Sequence, residues 1–289
     1  GHTLVTGAEH EVEKMSTAFV KAENANTGVY AQLQSEFAQR FFVVGNVRHD
    51  VNERFGDATT FRIAPSVILP VTDTKLKASY GSGFKAPTLS QMFVDFLPSF
   101  VANPNLRPEE SIGYDVGFEQ PVWNNRLRFG ATYFNNDIKN LIVGTGIAST
   151  VPFTVRTYEN IGRAETSGWE GFVAVNPVER LLLRADYTYT KAIDATTGLE
   201  LLRRPRHKAS FTAAWTPIDP LTLSATVLYV GEFIDGNRDF SIPRLTAPAH
   251  TVVNIAGDYR ISEQAKVFAR IDNLFNERYQ EPTGFLRPG

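Results

Sequence analysis

Cysteine is absent from all 289 residues, which removes disulfide frameworks, thiolate-bound zinc and thiol catalysis together. No run of about 18 apolar residues occurs, so no helix is expected to cross a bilayer. Spanning strands alternate, leave no hydropathy peak and are untouched by that exclusion. An excess of one charge is missing as well: 29 basic residues are interspersed with 31 acidic ones, for a formal net charge of −2. That balance gives no reason to expect nucleic acid or another polyanion as a partner. The first residues, "GHTLVTGAEHEVEKM", lack the basic, apolar and cleavage regions of a secretion signal, and the chain stops in turn-like "GFLRPG". Both ends are expected to be cuts in a longer protein.

What the sequence does have is alternation. In "SIGYDVGFE" (111–119), Ile112, Tyr114, Val116 and Phe118 share one parity, and Ser111, Gly113, Asp115, Gly117 and Glu119 the other. Successive strand side chains point to opposite faces, so this is a strand with one apolar and one polar side. The same pattern recurs in "TKLKASY", "RLRFGATYFNND", "HKASFTAAW" and "LTLSATVLY". About thirteen strands are predicted, most longer than the usual five or six residues.

The connections alternate in length. Short ones fall near 38–39, 70–73, 121–125, 176–179, 217–220 and 260–263. Long ones fall near 14–26, 51–59, 82–109, 139–154, 194–205, 234–247 and from 274 onward. In an up-and-down antiparallel sheet every second connection lies at the same end, whereas Greek-key sandwiches have no reason to keep that order. Aromatics such as Tyr80, Phe118, Trp123, Tyr133, Tyr187, Tyr189, Trp215, Tyr229 and Tyr259 sit near strand ends, where the two interfaces of a bilayer select them. The fold class expected is all-β: an antiparallel up-and-down transmembrane β-barrel, present in part, with the Ile112 face toward lipid.

Particular stretches resemble the TonB-dependent outer-membrane receptors, most closely their vitamin B12 (cobalamin) branch. They are "YGSGFKAPTLSQMF" (80–93), "NPNLRPEESIGYDVGFE" (103–119), "YENIGRAETSGWE" (158–170), "LLRRPRHKASF" (201–211) and "RIDNLFNERYQEP" (270–282). The resemblance implies a 22-strand barrel of which residues 1–289 are the C-terminal part, strands nine to twenty-one. The plug domain, the N-terminal strands and the final strand are expected to lie outside the chain. It further implies a multi-pass barrel in the outer membrane that imports a scarce nutrient, cobalamin first. Its expected partners are TonB, reached through the plug and TonB box, and outer-membrane lipid and lipopolysaccharide. Ferric-siderophore or haem receptors share this architecture. A passive channel of about 14 strands and a soluble β-sandwich adhesin or lectin are the remaining alternatives.

No chemistry beyond transport is signalled, and neither an enzyme nor a cofactor is expected. "GSGFKA" imitates a dinucleotide-binding loop, but Pro87 follows at once and no parallel βαβ unit is available. The candidate extracellular ligand-loop residues are instead Phe84, Phe93, Phe96 and Phe100, in a loop expected to fold over the barrel mouth, with Asp235, Asn237, Arg238 and Asp239. The last group has calcium-loop spacing but lacks the motif's later glycine and glutamate, having Phe240 and Thr246 there, so solvated loop carboxylates are expected. The cluster "RRPRHK" (203–208) suits either lipopolysaccharide phosphates or a hydrated loop end. His2, His10, His49, His207 and His250 have no metal-ligand spacing. Lys75, Lys77, Arg126, Arg128, Arg184 and Asp186 are expected to line a hydrated interior.

Overall fold

The computed structural model describes residues 1–95, 100–147, 155–236, 242 and 244–287. Alternation becomes strand throughout. In chain order these are β1 (His2–Ser16), β2 (Lys21–Phe37), β3 (Phe41–Asn52), β4 (Gly56–Ile68), β5 (Lys75–Lys85), β6 (Glu109–Val122), β7 (Leu127–Ile147), β8 (Val155–Val175), β9 (Leu181–Asp194), β10 (His207–Ile218) and β11 (Leu221–Val230). A short hairpin, β12 (Phe233–Asp235) and β13 (Leu245–Ala247), precedes β14 (His250–Arg260) and β15 (Lys266–Ile271). All except β12 and β13 form one 13-stranded sheet in sequential order, with each neighbouring pair antiparallel. No Greek-key crossover occurs in it, which overturns the sandwich alternative.

Pairing register fixes which residues share a face. Leu76, Phe118, Ala131, Gly171, Tyr187, Ala209 and Tyr229 lie in one row across seven strands. One residue along, the row reads Lys77, Gly117, Thr132, Glu170, Thr188 and Lys208. Nothing among the described residues packs over the apolar row: Val116 is 52% exposed and Trp169 55%. Leu89, Met92 and Leu106, and the cluster of Val230, Phe233 and Ala247, are buried in the loop layer or beside β12 and β13 instead. A soluble sheet would have buried this face.

Aromatic rings form two rows on the apolar face. One joins Phe61 to Tyr80 (5.7 Å), Tyr114 to Tyr133 (6.1 Å), Tyr133 to Trp169 (4.9 Å) and Tyr189 to His207 (5.3 Å). The other contains Phe37 with Phe41 and Phe118 with Phe129, and Trp215 lies toward the same end of β10. From His207 to Trp215 is about 26 Å of strand at ~3.3 Å per residue, or about 20 Å of height at a ~40° tilt.

On the polar face glycines make room for rings. A Cβ on Gly168 would overlap the Tyr189 carbonyl oxygen and come within 2.8 Å of Phe134 Cζ. Phe172 lies as close to Gly130, and the Arg184 guanidinium sits 4.9 Å above the Phe172 ring.

The short connections are tight turns where expected, at 38–40, 69–74, 123–126, 176–180, 219–220 and 261–265. Three expected long loops are corrected; in the one expected at 139–154 the β7–β8 ladder continues to Ile147 opposite Val155. The β1–β2 ladder continues to Ser16 opposite Lys21, leaving a four-residue turn in which Thr17 Oγ1 accepts from the Phe19 and Val20 N–H groups. The β3–β4 ladder continues to Asn52 opposite Gly56. Asn52 Oδ1 accepts from the Arg54 and Phe55 N–H groups, and Gly56 adopts a φ of +75° that suits glycine. Beyond the apolar band the residues of both faces are mostly polar or small, so hydrophobic alternation stops while backbone pairing continues.

Candidate functional site

Long connections collect at the end of the sheet opposite the tight turns. The β5–β6 connection begins with α1 (Leu89–Phe93), a single turn that the sequence reading did not anticipate. Thr88 caps it: its side chain accepts from the Gln91 N–H, and the Gln91 side chain accepts from the Thr88 N–H. The base of this connection is tied by the Lys85–Glu109 ion pair at 3.1 Å. Its far part lies along β8. The Val101 N–H donates to the Arg156 carbonyl, Asn103 Nδ2 donates to the Tyr158 carbonyl, and Arg107 exchanges two hydrogen bonds with Asn160.

The four candidate phenylalanines do not act as one group. Phe84 is a residue of β5, opposite Glu110 and on the face that carries Tyr80 and Ile112. This corrects its place in a loop over the mouth: strand pairing runs to Lys85, so parity sends Phe84 to the apolar side. Phe93 lies under the Arg54 guanidinium, 5.2 Å from the ring centroid, and Phe100 meets Tyr158 edge-on at 4.8 Å. Both therefore hold connections together. Phe96 lies outside the described residues, as do Asn237, Arg238 and Asp239.

Asp235 departs most from expectation. It is not solvated: its side chain has no exposed surface. One carboxylate oxygen accepts from Arg203 Nε and the Gly236 N–H, both at 2.8 Å, and the other accepts from the Thr283 N–H at 2.8 Å. Burial pushes this carboxyl up, but the Thr283 donor, the Arg203 guanidinium and the Gly236 donor outweigh it and hold the group below the usual carboxylate range. The β9–β10 connection, the β12–β13 hairpin and the segment after β15 thus meet at one side chain. The Arg203 N–H also donates to the Ile234 carbonyl at 2.7 Å. Sequence could not reveal the cluster, since Arg203 and Thr283 lie 32 and 48 positions away.

Beside that cluster is a recess of about 510 Å³ between the β7–β8 hairpin and the β9–β10 connection. Arg156, Arg203, Arg204 and Arg244 line it with Asp194 and Glu200; Phe100 and Tyr158 form one wall and Leu199, Leu201 and Leu202 another. Glu200 pairs with Arg206, and its carbonyl accepts from Arg244 Nη2. The basic run 203–208 is therefore largely engaged by its own loops. The recess combines excess positive charge with apolar walls, which suits a bulky ligand carrying anionic groups. Asp194 is a contrast to Asp235. Among the described residues its carboxylate accepts from the Thr196 and Thr197 N–H groups, within its own turn.

At the tight-turn end the polar face carries Lys77 on Glu119 (2.9 Å), Arg128 near the same carboxylate (3.9 Å), and Arg184 on Asp186 (2.6 Å). Arg126 is corrected: it belongs to a turn and covers the Trp123 ring at 5.7 Å. No group of three metal-ligating side chains occurs among the described residues.

Comparison with known proteins gives a coherent result. Among curated proteins the chain is 27% identical over 268 residues to a vitamin B12 transporter, BtuB, of Photobacterium profundum, covering 93% of this chain and 42% of that protein. It is 28% identical over 273 residues to BtuB of Vibrio cholerae, covering 93% and 41%. The chain therefore spans less than half the length of these relatives. Among solved structures, the ferric enterobactin receptor PfeA of Pseudomonas aeruginosa superimposes with a TM-score of 0.80 at 22% identity, over all of this chain and 50% of that one. The siderophore receptor PirA of Acinetobacter baumannii gives 0.78 at 17% identity, over all of this chain and 50% of that one. At those identities the likeness shows the fold. The family model described as TonB dependent receptor-like, beta-barrel, matches residues 5–274, and the chain belongs to that family.

Proposed function

We propose that this chain is the C-terminal part of the barrel of an outer-membrane active-transport receptor that is energised through TonB and imports a scarce nutrient. The observation that carries this reading is the uncovered apolar face between two aromatic rows. A face of that kind suits acyl chains, and the opposite face, lined by Lys77, Glu119, Arg128, Arg184 and Asp186, suits a hydrated interior. On this reading the tight turns face the periplasm and the connections around Asp235 face outward. A plug and further strands complete the barrel, and TonB acts through the plug.

The substrate favoured is cobalamin, supported by similarity to vitamin B12 transporters over 93% of the chain. A second reading, a ferric chelate with anionic donor groups, is favoured by the arginine-lined recess. Equilibrium binding to the intact receptor in outer-membrane vesicles separates them. Saturable cyanocobalamin binding that a ferric catecholate chelate does not displace supports the first, and the converse supports the second. Uptake of the bound compound is expected to stop when the proton gradient is collapsed. Uptake that continues unchanged would remove the energised-import reading.

A further inference from the structure

We propose that Asp235 is a positioning residue of the outer mouth, one carboxylate that makes three separate connections move as a unit beside the arginine-lined recess. The proposal rests on the importer reading for its functional meaning and on geometry alone for the coupling.

Three observations carry it. First, the carboxylate is completely covered, yet each of its bonds reaches a different segment: Arg203 before β10, Gly236 after β12 and Thr283 after β15. Second, all three partners donate, and no acceptor is presented to it in these bonds. An ionised carboxylate satisfies such a set, whereas an amide would turn its NH₂ toward a donor. Third, Arg203 both binds Asp235 and lines the recess. Asp235 is not among the residues that line the recess, so its loss acts on the recess through Arg203 and the connection that carries it.

The β9–β10 connection is also tied to the hairpin region by the Arg203 N–H on the Ile234 carbonyl and by Arg244 Nη2 on the Glu200 carbonyl. The segment after β15 has its own contacts: Asn273 receives the Glu277 N–H, and Tyr279 stacks on His250 at 4.1 Å. These fix its beginning. The far end, around Thr283, is tied to the hairpin through the carboxylate. An anionic ligand entering the recess meets Arg203 while that side chain is still bonded to Asp235. Ligand capture and the order of all three connections are thereby linked.

The test uses the intact receptor in outer-membrane vesicles, with Asp235→Asn, Asp235→Ala and, as a control, Asp194→Asn. Amide hydrogen exchange is followed by mass spectrometry. With either Asp235 variant, residues 199–206 and 280–287 are expected to exchange at least about tenfold faster together, while the strands and the heat-modifiable gel mobility of the barrel stay unchanged. Asp194→Asn is expected to loosen only 194–199. If the Asp235 variants loosen 233–236 alone, or if Asn serves as well as Asp, the coupling is refuted. Binding of cyanocobalamin and of a ferric catecholate chelate is then measured. Whichever probe the unsubstituted receptor binds is expected to dissociate at least about tenfold faster from Asp235→Asn. Unchanged dissociation despite loosened loops refutes the positioning role. If the unsubstituted receptor binds neither probe, the substrate reading fails, while exchange still decides whether Asp235 couples the connections.

Discussion

Val116 and Asp115 are adjacent in β6, yet they stand on opposite faces of the sheet. Val116 is on a face that nothing among the described residues covers, whereas Asp115 receives the Ser79 hydroxyl on the face that carries the ion pairs. The backbone is the same for both, so the difference comes entirely from parity. A single-residue shift of register would exchange the two faces along a whole strand. The two faces should therefore respond oppositely to the same kind of substitution.

The largest effect is expected for Val116→Arg, which puts a cation between the aromatic rows. It should cost roughly 2–4 kcal/mol in a folding titration of the full-length receptor in lipid vesicles. A cost matching that of a polar-face substitution would break the comparison. Gly168→Ala should come next, at about 1–3 kcal/mol, because the polar face is crowded there by Phe134 and the Tyr189 carbonyl. This sharpens the rule: the polar face tolerates charge but not volume at its glycines. Trp169→Ala, removing the ring packed on Tyr133, should cost about 0.5–1.5 kcal/mol beyond its lost area and shift tryptophan emission from lipid-exposed sites. Lys77→Met is expected to change stability by less than about 1 kcal/mol, since the Lys77–Glu119 pair is partly exposed.

The smallest effect expected is no effect at all. The Asp235 carboxyl is held below its ordinary value in the folded protein, with Arg203 as the charged group facing it. Its stabilisation is therefore fully present above the unfolded value, near 3.9, and is lost as pH falls below that toward the folded value. Amide protection of 199–206 and 280–287 should stay flat between about pH 8 and 5 and fall only in stronger acid. Loss of protection between about pH 8 and 5 would show that the Asp235 carboxylate does not govern the coupling.

How much of this was legible in the sequence depended on where hydrophobic contrast exists. Between the aromatic rows each strand has one apolar and one polar side, so period-two alternation locates the thirteen strands of the sheet and the face that Ile112 and Phe118 share. Beyond the rows the contrast vanishes. The stretch "KAENAN" (21–26) reads as loop, although Glu23, Asn24, Ala25 and Asn26 are paired to Lys14, Glu13, Val12 and Glu11. The turn α1 is too short to leave a helical period, and its one sequence signal is the capping pair of Thr88 and Gln91. The candidate site was the least legible part. Its residue types were readable, but Arg203, Asp235 and Thr283 meet only through tertiary structure. Asp235 was placed in solvent because loop carboxylates ordinarily are.

The four-residue turn between β1 and β2 and the short turn between β3 and β4 bear on how the rim is joined. Hydrogen-bonded ladders continue to the tips of those hairpins, whereas the β9–β10 connection and the segment after β15 combine backbone bonds, such as the Leu201 N–H on the Ala192 carbonyl and the Arg287 N–H on the Tyr279 carbonyl, with the side-chain ties at Asp235. The rim is therefore asymmetric in how its parts are joined: one flank is a row of separate hairpins, while on the other three connections share a single carboxylate, so damage to one side chain there is expected to spread where damage to a hairpin tip stays local.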